Sequence, residues 1–189
     1  MLSLHFSPFP QRETERLLLK QINEGDAPDL FSIRSDKEVM KYLDRPPAQN
    51  MNEVVALIKL ITDAVNKNEG ITWGIYPKTE SNVLRGTIGF WRIQKENYRA
   101  EIGYLLHPSL QGKGLMYEAM KVVLNYGFNE MRLHSIEANV NPSNVASINL
   151  LERNGFVKEA YFKENCFYDG RFLDSAIYSL LTPSAQSFI

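Results

Sequence analysis

The hydrophobic pattern of this chain changes period at a glycine turn near its middle, and that change restricts the fold more than any other feature. Before the turn stand three segments rich in β-branched and aromatic residues, ITWGIYPK, VLRGTIGFWRIQ and RAEIGYLLHP, separated by short polar stretches. Such runs read as the strands of a meander. The turn itself is QGKG, residues 111–114. Beyond it, Leu115, Ala119, Val122, Val123 and Tyr126 mark an amphipathic helix.

The flanking segments extend the pattern. After Thr14, ERLLLKQI reads as a first strand, and Asn23 and Asp26 offer caps for a short helix in DAPDLFSIRSD. The paired prolines of RPP, residues 45–47, require a loop. In MNEVVALIKLITDAVNKNEG, Val54, Leu57, Ile58, Ile61 and Val65 fall at helical spacing, and Gly70 ends the run. HSIEANV is a strand, and NPSNVASINLLERNGF a helix that starts within Asn141 to Asn144 and stops at Gly155. Two last strands, VKEAYFKENCFY and RFLDSAIYSLL, meet at Asp169-Gly170, a strong hairpin signal. The order β-αα-βββ-α-β-α-ββ predicts an α/β (α+β) fold, a mixed sheet with helices on its faces.

No repeat or linker divides the 189 residues, so one domain is expected over 1–189, with its core at about 12–181. The opening MLSLHFSPFP lacks the basic and long apolar parts of a signal peptide and reads as a loose leader. A net charge of −1 gives no global attraction to nucleic acid or to an anionic membrane, and no nucleic-acid motif is present. No run approaches the ~18 apolar residues of a membrane span. Cys166, the single cysteine, has no internal partner for a disulfide, which points to a reducing, cytoplasmic compartment. His5, His107 and His134 are too scattered to suggest a metal cluster, so no metal is expected.

A strand, a glycine turn and a helix start leave several backbone N–H groups without partners. Glycines let that backbone approach a ligand, and the helix dipole favours an anion, to which Lys113 adds charge. GxxxxGK[ST] is absent, and Gly112-x-Gly114 lacks the third glycine of GxGxxG, with Tyr117 in its place. Phosphate binding and a plain chain reversal both remain open on these residues alone.

Set in its context, the turn resembles the main motif of the GNAT-superfamily N-acetyltransferases, Gln/Arg-x-x-Gly-x-Gly/Ala after a strand and opening a helix. Here it reads Gln111, Gly112, Lys113, Gly114, Leu115, Met116. EIGYLLHPSLQGKGLMYEAM and NVNPSNVASINLLERNGF resemble the Rim-type ribosomal-protein N-terminal acetyltransferases, as do TERLLLKQINEGDAPDLFSI and YDGRFLDSAIYSLL, so the likeness covers about residues 12–181. The resemblance implies a mostly antiparallel sheet with a splayed pair of strands and flanking helices. It implies that backbone N–H groups of the turn hold the pyrophosphate of acetyl-coenzyme A. It further implies that the strand end at Leu105, Leu106 and His107 bulges and splays from its neighbour, so that its free backbone groups pair with the pantetheine arm. Met116 departs from the pattern where a small residue is usual.

Acetyl transfer needs a neutral amine, a polarised thioester carbonyl and a stabilised or protonated thiolate. Glu101 alternates with Gly103, Leu105 and His107 on one strand face and is the leading base candidate; the alternative is an exposed strand carboxylate in a salt bridge. Asn144, Ser147 and Leu151 share a helix face, and with Gly155 and Phe156 they meet the Rim-type spacing. The resemblance implies that Asn144 bonds the cofactor arm and that Ser147 contacts the thiol end, as acid or as thiolate stabiliser; capping or a polar helix face is the alternative. His134 and Cys166 read as structural, whereas Trp73, Trp91 and Tyr104 read as core or cleft lining.

The expected protein is an acetyl-coenzyme A-dependent N-acetyltransferase of a primary amine, with a ribosomal-protein N-terminus the acceptor that the resemblance implies. The alternatives are a small amine (a polyamine, an amino acid or an aminoglycoside) and, in a different class, a non-catalytic acyl-coenzyme A sensor. Acceptor choice is expected to lie in the 40–70 region and the terminal hairpin, where no decisive signature stands, and the protein is expected as monomer or homodimer.

Overall fold

The glycine turn does carry a strand into a helix, and the sheet is arranged around that junction. The computed structural model describes residues 1–183; residues 184–189, included in the expected domain, lie outside the described residues. The strands are β1 (Arg12–Glu13), β2 (Leu17–Gln21), β3 (Ile71–Pro77), β4 (Gly86–Gln94), β5 (Arg99–Leu106), β6 (Ser135–Val140), β7 (Val157–Tyr168) and β8 (Arg171–Leu181). They form one eight-stranded sheet in the order β1-β2-β3-β4-β5-β6-β8-β7. Neighbours run antiparallel except β5 and β6, which are parallel. A parallel pair needs a crossover, and helix α4 (Leu115–Asn129) supplies it. At the β7–β8 turn Asp169 and Gly170 both take positive φ, 50° and 74°, the backbone of a two-residue hairpin.

Strand alternation sorts the side chains to two faces. Ile88, Phe90, Ala100 and Ile102 join Ala119, Met120 and Val123 of α4, and Leu151 of α5 (Val145–Arg153) completes that cluster. On the other face, α1 (Ala27–Arg34) and α3 (Met51–Asn66) bring Leu30, Ile33, Val54 and Ile58 against Tyr76 and Leu84. Each such side chain contributes about 1.5–3 kcal/mol on burial. Leu57 and Ile61, at core spacing in the sequence, are half-buried and line a cavity between α3 and the sheet.

Two expectations need correction. The opening segment is no loose leader: Leu2, Leu4 and Phe6 are 6%, 6% and 1% exposed. Their alternate spacing gives the segment one apolar face, and it is tied down where Phe6 N donates to Asn68 Oδ1 (2.8 Å) and Trp73 Nε1 to the Pro10 carbonyl (2.7 Å). Asn23 caps a single 3₁₀ turn, Glu24–Asp26, rather than α1, and Asp26 accepts from the Asn23 N–H instead of capping α1 with its side chain. A one-turn helix, α2 (Lys37–Met40), capped by Asp36, follows α1 in a stretch to which the sequence reading assigned no element. Among the described residues no helix is long and apolar enough to cross a membrane.

Candidate active site

β5 and β6 pair over only three residues, Arg99 to Glu101 against Ser135 to Glu137. Beyond Glu101 they separate, and Ile102, Gly103, Tyr104 and Leu105 then face Ala138 to Val140 across an opening. That opening is part of a cavity of about 410 Å³ that runs beneath α1 and α3. The expected splay is therefore present, but the expected bulge at Leu105–His107 is not. Leu105 and Leu106 keep register with Thr87 and Gly86, and His107 N donates to the Arg85 carbonyl (2.8 Å). The irregularity lies on β4, between Trp91 and Gln94, where Arg92 has a φ of 47°.

At the far end of β5, His107 caps a short 3₁₀ turn through Ser109, and Gln111 Nε2 donates to the Leu106 carbonyl (3.0 Å). Gln111 thus ties the glycine turn to the strand end. Gly112 and Gly114 have φ of 72° and 75°, a region that costs other L-residues about 1–2 kcal/mol. Space outside the turn is open: a Cβ on Gly112 would meet nothing within 4 Å, and one on Gly114 only Arg16 Nη2 at 3.8 Å. No side chain caps α4, so its first N–H groups lack that partner. Leu115 and Met116 turn their side chains into the core, so they can offer a ligand only backbone. Met116 is accommodated there by packing.

Around the turn stand cationic residues, of which sequence reading had named only Lys113. Arg16, Lys113, Lys121 and Arg153 rim a shallow depression beside Gly114. The Arg153 guanidinium lies 4.2 Å from the Tyr117 ring centroid, and Arg16 Nη1 donates to the Lys113 carbonyl (3.1 Å). Arg16 and Arg153 lie far from the turn in sequence, which is why spacing did not reveal them.

In the cavity, Glu101, Tyr104, Asn144 and Ser147 come together. Glu101 is 5% exposed and accepts from Arg92 Nη1 at 3.0 Å. The salt bridge considered as its alternative role exists, but the carboxylate is buried rather than exposed. Burial pushes the Glu101 carboxyl above the usual carboxylate range, while Arg92 and then Arg45 pull it back. Asn144 caps α5, its Oδ1 accepting from Ser147 N (3.1 Å). The Ser147 hydroxyl lies 2.6 Å from the Tyr104 hydroxyl. Burial pushes the Tyr104 hydroxyl up to about 12, with the bond to Ser147 opposing.

Other candidates fall away. Trp73 is fully buried, edge-on to Phe90 and Tyr126, whereas Trp91 is 37% exposed and lines the cavity beside Gly103. Partial burial and Asp44 push the Cys166 thiol up, which makes it a poor nucleophile. Among the described residues no cluster of three or more His, Cys, Asp or Glu is placed to hold a metal ion.

Residues 16–157 match the family model described as the acetyltransferase (GNAT) domain. The chain belongs to the GNAT acetyltransferases. It is 34% identical to YoaA of Bacillus subtilis (strain 168), named as an uncharacterized N-acetyltransferase, over 93% of this chain and 98% of that protein. It is 31% identical to the [ribosomal protein uS5]-alanine N-acetyltransferase of Escherichia coli (strain K12), over 90% of each. A spermidine N(1)-acetyltransferase of Vibrio cholerae is 26% identical over 84% of this chain and 89% of that one. Among solved structures, a GNAT-family acetyltransferase from Bacillus anthracis aligns with a TM-score of 0.80 at 28% identity, covering 91% of this chain and 98% of that one.

The residues present in this GNAT chain suit acetyl-coenzyme A. The open, glycine-shaped turn, with Lys113, Lys121 and Arg153 beside it, suits a pyrophosphate and a phosphate; Arg16 there is paired with Glu118. The strand edge exposed by the splay suits an amide-rich arm, which needs backbone partners along an extended path. Asn144 and Ser147 stand where that arm would reach the cavity, beside Tyr104 and Glu101.

Proposed function

We propose that this enzyme moves an acetyl group from acetyl-coenzyme A to the α-amine of a protein N-terminus, a ribosomal protein being the acceptor its relatives suggest. The observation that carries this reading is the cavity at the splay, which holds a buried carboxylate and a hydroxyl pair together. Bound acetyl-coenzyme A supplies the acetyl group as a thioester, whose carbonyl carbon bonds the amine nitrogen as the carbon–sulfur bond breaks. Glu101 takes the proton that the amine must lose, directly or through one water. Ser147 donates a hydrogen bond or a proton to the departing sulfur, and Tyr104 resupplies the Ser147 oxygen. The Tyr104 hydroxyl, held near 12, remains a donor throughout the neutral range.

The weak base favours an α-amine. Taking the proton from a group of pKa about 8 at pH 7 costs about 1.4 kcal/mol, against about 4.6 kcal/mol for an alkylamine near 10.4. Likeness to the uS5-alanine enzyme over nine-tenths of both chains supports the same choice. A non-catalytic acyl-coenzyme A sensor gives no reason for a buried carboxylate beside the hydroxyl pair. A donor and acceptor of this kind support a cytoplasmic location. Mass spectrometry of a cell extract incubated with the purified protein and labelled acetyl-coenzyme A tests the reading. Label on protein N-termini is expected; label on small amines alone would move the acceptor to that class, and no label on any amine would leave only a sensor.

A further inference from the structure

Two arginines on the cavity wall form no ion pair, although the Arg45 charge reaches Glu101. Arg34, near the end of α1, and Arg45, in the loop after α2, both line the cavity that contains Glu101 and Ser147. Among the described residues, Arg12, Arg16, Arg85, Arg92 and Arg99 each pair with a glutamate, whereas Arg34 and Arg45 pair with no carboxylate and make no side-chain hydrogen bond. Arg34 is half-buried, and burial first, then the neighbouring Arg45 charge, push its guanidinium below the usual value. Arg45 beside it is exposed, so the two cations run from a half-buried to a solvent-facing position on one wall.

An unpaired, partly buried guanidinium is costly, and a second one beside it raises the cost. The cavity offers little relief. Its lining carboxylates are Glu101, joined to Arg92 and reached by Arg45 only at longer range, and Glu69, which is exposed and pairs with neither arginine. A guanidinium presents several donors in a planar fork that matches carboxylate and phosphate. We propose that the acceptor carries an anionic group, a carboxylate or a phosphate, close to the amine that is acetylated, and that Arg34 and Arg45 bind it. This rests on the acetyltransferase reading above and narrows its substrate. It selects against a polyamine, whose second cation would meet the same wall. It also locates acceptor choice within α1 and the loop at 41–50, close to the region where the sequence offered no signature.

The anion has two sources: an acidic side chain in the first residues of a protein, or the carboxylate or phosphate of a small amine. Initial-rate kinetics with matched acceptors separate them. One arm compares amidated peptides beginning Ala-Asp-Glu, Ala-Ser-Gln and Ala-Lys-Lys; the other compares free glutamate and phosphoethanolamine with glutamine amide and spermidine. In whichever arm is active, the anionic member is expected to lead the cationic one by about ten- to a hundredfold in kcat/KM, the scale of charged hydrogen bonds. In R34Q/R45Q that preference collapses, and in R34K/R45K, which keeps the charge and guards against misfolding, it largely persists. A readout independent of turnover is calorimetric binding of the acetylated Ala-Asp-Glu peptide to the protein with coenzyme A. That binding is expected to weaken at least tenfold in R34Q/R45Q. Acetylation of amines regardless of charge, a cationic preference, or an anionic preference intact in R34Q/R45Q would overturn the inference while leaving the acetyltransferase standing. Absence of acetylation in both arms and in the extract would overturn both.

Discussion

The regions we assign to the donor and to the acceptor are built from different materials. On the donor side the ligand-facing surface is mostly backbone: the glycine turn, the edge of β5 beyond Glu101 and the start of α4. On the acceptor side it is mostly side chains, Arg34, Arg45, Trp91 and Glu101, drawn from a helix, a loop and two strands. Backbone sites accept one extended, amide- and phosphate-rich molecule and depend on local geometry. Side-chain sites set which partner is admitted, and they depend on how distant elements pack. A shared donor with a variable acceptor follows from that division.

The comparison breaks most sharply at Glu101. Glu101→Gln is expected to lower kcat by about 10²–10⁴-fold, the range of general acid–base catalysis, while the dissociation constant for acetyl-coenzyme A stays within about twofold. Unchanged turnover would remove Glu101 from the chemistry. The mirror experiment is Gly114→Val, which puts a β-branched side chain at a φ of 75°. A strain of about 1–2 kcal/mol and a crowded turn are expected to raise KM for acetyl-coenzyme A by roughly tenfold or more, with the acceptor KM little changed. An equal rise in both constants would deny that the two sides are separable.

Tyr104→Phe probes the join between them. Losing the hydroxyl that faces Ser147 is expected to lower kcat about tenfold, the size of one hydrogen bond to a developing charge, without altering either KM greatly. Because the Tyr104 hydroxyl lies near 12, the wild-type rate is expected to show no alkaline loss from this group below about pH 10. A smaller effect concerns stability. Glu101 is raised in the folded protein, so its carboxyl form favours folding below the unfolded value of about 4.3, and that advantage is lost as pH rises through the folded pKa. At pH 7, Glu101→Gln should therefore melt no lower than wild type, any gain vanishing below about pH 4. A clear drop in melting temperature at pH 7 would make Glu101 a structural ion-pair partner of Arg92 instead.

Legibility in the sequence followed the same division. The meander, the turn at 111–114 and the Asn144/Ser147 helix start were readable because each depends on spacing within about ten residues. Glu101 was readable from strand alternation, and its burial was not. The bulge was misplaced because a positive φ at Arg92 carries no glycine to announce it. Packing of Leu2, Leu4 and Phe6 went unread because what covers the segment lies far along the chain, as with Asn68 against Phe6. The Tyr104–Ser147 bond spans 43 residues, and Arg34 meets the reaction site only through the placement of α1.

What the sequence determined by itself was the order of elements, and its motifs carried the resemblance to the GNAT family. The order of elements rests on periodicity, glycine turns and capping, which act between near neighbours. Only the tertiary structure decided which charges share the cavity with Glu101. Burial and pairing of a charge depend on groups far apart in the chain, and Glu101, Arg34 and Arg45 acquire their character there.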